Sequence, residues 1–178
     1  DLNKLTSDQV GAITTASLRG LTTTQVAALG TAQLSSLTTG QLVSMTTASV
    51  AALTTAQTVA LTTDQVAALT ATQAKAIVTD DIAALTSVQV ASISTASVAA
   101  LTTDQVVALT TTQMDKLTTG QMAALTSAQV GALETRDLNK LTSDQVGAIT
   151  TASLRGLTTT QVAALGTAQL SSLTTGQL

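Results

Sequence analysis

Apolar and polar positions recur along this chain with a period of eight. Read from Leu5, it divides without insertion into LTSDQVGA, ITTASLRG, LTTTQVAA, LGTAQLSS and onward to a truncated LTTGQL ending at Leu178. Lettering the octad a to h places Leu at a, Thr at b and c, Gln at e and Val at f. Such a repeat is settled before any finer reading, because it dictates the architecture. A longer period lies above it: residues 1–42 recur identically as residues 137–178, an offset of 136 residues or 17 octads. The chain therefore reads as a single continuous array over 1–178, a unit of 1–136 followed by the start of the next at 137–178. Both ends fall mid-octad without the polar capping repeats that close a solenoid, so both are expected to continue into a longer array.

A continuous helix does not fit this period. Eight residues advance roughly 80° beyond two full turns, so columns a and f would circle the helix instead of forming a face. A coiled coil fails because the period is neither seven nor eleven. Strands fit poorly too, since a and f alternate by five and three, and Gln and Ala are weak strand formers. The ten glycines scatter over columns b, d, g and h, so no column supplies a fixed turn of positive φ.

A short helix restarted in every octad does fit. With Thr102 as N-cap, Gln105 falls at the third helical position and completes a T-x-x-Q capping box, while Leu101 and Val106 flank it as a hydrophobic staple. Thr103 then opens the helix at column c. The same set recurs as Leu61, Thr62, Thr63, Gln65 and Val66, and column b is Ser or Thr in 18 of 22 octads. The expected helix runs from c through h and the next a, about two turns. Asp8, Asp64, Asp104 and Asp144 sit at column d in the first turn, where negative charge suits the helix dipole. Gly30 and Gly166 are acceptable caps, whereas Val78 and Glu134 are not, and there the cap is expected to shift to Thr79 or Thr135. The fold class that follows is all-α: a solenoid or superhelix of short capped helices, one per octad.

Placing the columns at 100° steps puts e, a, f and c on one contiguous face and d, g and h on the other. Charges respect that division, for columns a, c and f carry none, and within the octads from Leu5 onward Asp81 and Asp137 are the only charges at e, where each is expected to act as its own cap. Where a is Ile13, Met45, Ile77 or Ile93, column e changes from Gln to Ser17, Ser49, Asp81 or Ser97. Descent from one octad subtype and a packing site shared by a and e are both compatible with that. Column c is Ser or Thr in 21 of 22 octads, more than capping at b requires, so its hydroxyls are expected to bond between coils. A two-turn helix is unstable alone, and stability must come from stacking through the small residues at g and h.

Composition narrows what such a solenoid can do. The chain has no His, Cys, Pro, Phe, Tyr or Trp. That removes imidazole bases, thiolate nucleophiles, ordinary zinc sites and disulfides, together with stacking platforms for bases. A net charge of −3 with seven Lys and Arg argues against nucleic acid, and no run approaches the roughly 18 apolar residues of a membrane span. No calcium-loop pattern or catalytic carboxylate pair stands out. The expectation is no enzyme, no cofactor and no metal.

Two resemblances follow from these residues. The stretch Leu101 to Leu109, LTTDQVVAL, is similar to the opening helix of TAL effector repeats, which share the cap, the Gln and the staple. The base-reading loop, the longer period and the basic charge are missing, so DNA recognition does not carry over. The LTTxQVAAL array as a whole resembles octapeptide-repeat regions of very large bacterial adhesin-like surface or secreted proteins. That resemblance implies export to the cell surface or beyond, an extended form and a mechanical or spacing role. The expected function is thus a repeat segment of an extracellular fibre, stalk or filament that associates with its own kind laterally or end to end. The alternative is a surface-binding module that presents its regular Thr array to ice or glycan.

Overall fold

The structure, a computed structural model, describes residues 2–177. After a 3₁₀ turn at Leu2–Lys4 come twenty-one short α-helices, α1 (Ser7–Gly11) to α21 (Thr167–Ser171), and no strand is found among the described residues. Each complete octad makes one helix. The Thr at column b starts it: Thr62, with φ −71° and ψ 160°, is extended, and α8 (Thr63–Ala68) follows at once. The helix stops one residue earlier than the octad pattern predicts. Leu69, at column a, still donates its N–H to the Val66 carbonyl at 3.3 Å, but its ψ of 129° takes it out of helical geometry. Columns a and b thus form a two-residue extended link, and the helices are four to six residues long. No φ among the described residues is positive, so the links need no glycine. Among the described residues no helix is long and apolar enough to cross a membrane.

The helices wind into a solenoid in which each packs on the helix three places along. So α9 (Ala71–Ala76) lies against α12 (Thr95–Ala100), α12 against α15 (Thr119–Ala124), and α15 against α18 (Ser143–Ala148). Columns a and f turn inward and form one apolar core running from Val10 to Leu165. Column e joins them: every Gln at e from Gln33 to Gln169 is buried.

Column c does not. Thr63, Thr103 and Thr119 are exposed, and none of the column is buried among the described residues. On a helical wheel a, e and f span about 100°, which already makes a full buried stripe, and c lies some 60° beyond its edge. Half-burial falls instead on column h, at Ala68, Ala108 and Ala124, where the coils approach each other over small side chains.

Candidate functional site

The recurring polar feature of the fold is the joint between coils, and Gln at column e builds it. Thr102 Oγ1 accepts the Gln105 N–H at 3.1 Å, and Gln105 Oε1 accepts the Thr102 N–H at 2.8 Å. This closes the capping box on α13 (Thr103–Ala108). The other half of the amide points away from its own helix. Gln105 Nε2 donates to the carbonyls of Ala74 at 3.0 Å, Lys75 at 3.2 Å and Ile77 at 2.6 Å. These carbonyls close α9: that of Ala74 also accepts the Ile77 N–H at 3.3 Å, while those of Lys75 and Ile77 lie past the last helical donor. Gln65 repeats the arrangement, capping Thr62 and donating to Leu34, Ser35 and Leu37. Leu101, Val106, Leu61 and Val66 are buried around these joints, whereas Thr103 and Thr63 stand outside. One side chain thereby satisfies the start of its own helix and the end of a helix in the preceding coil. The sequence shows the first task in T-x-x-Q; the second has no motif, because its acceptors are backbone groups 28 to 31 residues earlier.

That offset also sets the winding. The acceptors lie at f and g of the octad four places back and at the a residue that opens the octad three places back. A coil therefore holds a little more than three octads, the side-chain bonds between coils spanning 23 to 31 residues. Each helix packs on the helix three places back, while the Gln near its start reaches the last turn of the one before that. Helix starts accordingly lie beside helix starts, as where a Cβ on Gly120 in α15 would stand 3.7 Å from Thr95 Cγ2 at the start of α12, and helix ends meet helix ends, as at Gly131 and Gly156.

Departures from Gln are conservative or compensated. Ser97 and Ser153, too short to span the joint, donate to Leu69 at 2.9 Å and Leu125 at 2.6 Å, keeping the acceptor 28 residues back and losing the others. The two Asp octads behave differently from the sequence expectation. The caps stay at Val78 and Glu134 without a side-chain bond, so no shift to Thr79 or Thr135 occurs. Nor do the carboxylates cap their own helices. Asp81 accepts from the hydroxyls of Thr55 at 2.7 Å and Thr58 at 3.2 Å; Asp137 accepts from Thr111 at 2.6 Å and lies 3.7 Å from Arg136 Nε. A carboxylate cannot donate to the carbonyls that Gln serves, so it turns to hydroxyl donors instead. Among the described residues, Thr55 and Thr111 are the two at column c whose hydroxyls bond between coils; most of the others face outward. Thr58 escapes the column pattern, although it is the one polar residue at f and is 1% exposed.

Glycine marks the tightest approach between coils. A Cβ on Gly156 would run into the Ser127 carbonyl, and one on Gly131 would stand 2.6 Å from the Gly156 carbonyl.

A family model described as the ALTTAQ repeat matches residues 2–39, 39–71, 75–111, 107–135, 114–151 and 138–175, nearly the whole chain. The chain belongs to the ALTTAQ repeat family. The six letters occur here as Ala52 to Gln57, columns h, a, b, c, d and e. In structural terms the ALTTAQ motif is a coil-contact residue, a core residue, a cap, two helix-start residues and the joint amide. Each match is 29 to 38 residues long, more than one coil. No curated protein matches the chain.

Proposed function

We propose that the chain is a load-bearing or spacing segment of an extracellular bacterial fibre, stalk or filament. The observation that carries this reading is the near-continuous succession of joints. Among the described residues, every column e side chain from Gln33 to Gln177 except Ser49 bonds to the coil before it. Such a pattern extends along one axis indefinitely, and near-identical units lengthen it without changing its surface. Self-association, lateral or end to end, would thicken or prolong it, and electron microscopy of the isolated chain tests that point: only short dispersed monomers would count against it.

The mechanical role is tested by pulling. Single-molecule extension is expected to release one coil at a time, each adding roughly 25–28 residues or on the order of 80–100 Å of contour. Extension at negligible force would remove the load-bearing reading. Export is tested separately by protease accessibility of the chain on intact cells.

The outward Thr residues favour a second reading, a module that contacts ice or glycan. The stacking of helix starts, as at Thr95 and Gly120, would line such contacts up along the solenoid. Replacing exposed column c Thr residues by Val, with helicity retained, would abolish thermal hysteresis or glycan binding if this reading holds and would leave both unmoved if it does not.

A further inference from the structure

The joints that hold the coils together do not say which coil belongs on which. Gln Nε2 binds backbone carbonyls, and every octad offers the same ones; the Leu and Val of columns a and f are equally interchangeable. A coil that took in one octad too many would reproduce almost every contact of the correct one. Near-identical repeats therefore need a feature that distinguishes the registers.

We propose that Thr58 and Asp81 are that feature, a key that fixes the register of the coil between them. Asp81 is 3% exposed and Thr58 is 1% exposed. The two carboxylate oxygens take separate donors, Thr55 Oγ1 and Thr58 Oγ1. The column c donor is generic, since Thr47 or Thr63 would replace Thr55 after a shift of one octad in either direction. The column f donor is unique. A one-octad shift sets Val50 or Val66 in its place and leaves one buried carboxylate oxygen without a partner, the kind of defect an interior tolerates least. Asp137 lacks this function: its column f counterpart is Met114, and Arg136 lies beside it instead.

Because the chain contains no cysteine, disulfides can report the register directly. A Cβ placed on Gly120 would stand 3.7 Å from Thr95 Cγ2, so these two positions touch across the coils. Around the key the repeat equivalents of that pair are Thr63 and Val88, and a coil one octad too long would bring Thr63 to Ala96 instead. Thr63→Cys/Val88→Cys is expected to cross-link efficiently, and Thr63→Cys/Ala96→Cys only in traces. Adding Thr58→Val/Asp81→Gln, which restores the common residues at both columns, should raise the Thr63→Cys/Ala96→Cys product about tenfold. A second variant, Thr58→Val/Val50→Thr, moves the hydroxyl back by one octad and keeps composition constant, so it reports even if the first fails to fold. It should make the shifted cross-link the main product. An unchanged, trace level of the shifted product in the folded variants would overturn the proposal.

Discussion

Gln145 and Gln9 occupy the same place in two identical 42-residue stretches, yet they experience different surroundings. Gln145 is buried and donates to the carbonyls of Met114, Asp115 and Leu117; Gln9 is exposed, with no described coil before it, and only caps Thr6. The pair separates the two tasks of column e. Gln145→Ala should lower stability by about 2–3 kcal/mol in denaturant titration, because it orphans buried groups on both coils, whereas Gln9→Ala should cost about 1 kcal/mol or less. Gly156 and Gly20 form a second matched pair. A methyl at Gly156 meets the Ser127 backbone, while at Gly20 the nearest atom is 3.4 Å away. Gly156→Ala is expected to destabilise by about 1–3 kcal/mol through overpacking, and Gly20→Ala to stay within about 0.5 kcal/mol of the parent chain. At this scale half of the joint is legible in the sequence. Thr102 and Gln105 announce the cap by their spacing, but the carbonyls of Ala74 and Ile77 leave no mark on it. The helical wheel places column c inward because it gives directions without saying how wide the buried arc will be.

Each helix has a clear start and no stop of its own. The T-x-x-Q cap identifies where α8 begins, whereas its end is set by Leu69 turning into the core, and no Gly, Asn or Pro at that point signals it. The start is therefore legible, while the octad pattern overruns the end by one residue. The same geometry explains what proline would do. Thr63 is exposed, occupies the first helical position and follows Thr62 at ψ 160°, a conformation that the residue before proline adopts without strain. Thr63→Pro should thus be neutral or stabilise by about 0.4–1 kcal/mol through the unfolded chain. That tolerance ends with the first turn: Val66→Pro, in the helix interior, should cost about 3 kcal/mol or more. Melting curves of the two variants measure the contrast.

For the whole molecule, the eight-residue period makes the solenoid and its one helix per octad legible before any coordinate. The number of octads in a coil is not, because it depends on where backbone carbonyls fall after the chain has turned through a full circuit. With coils tied chiefly to their neighbours, stability should grow with coil number as in other linear repeat proteins. Extending the chain beyond Leu178 with a copy of residues 43–136 should raise the denaturation midpoint, and an unchanged midpoint would show that the coils do not support one another. The bond from a helix start to a link in the preceding coil has one more consequence. Gln105 pins the link at Ile77 and Gln65 the link at Leu37, so an extended stretch with no helix of its own is held from the next coil. It works like a seam overstitched from the layer above: a tear that begins at such a link must pull out that stitch before it can spread.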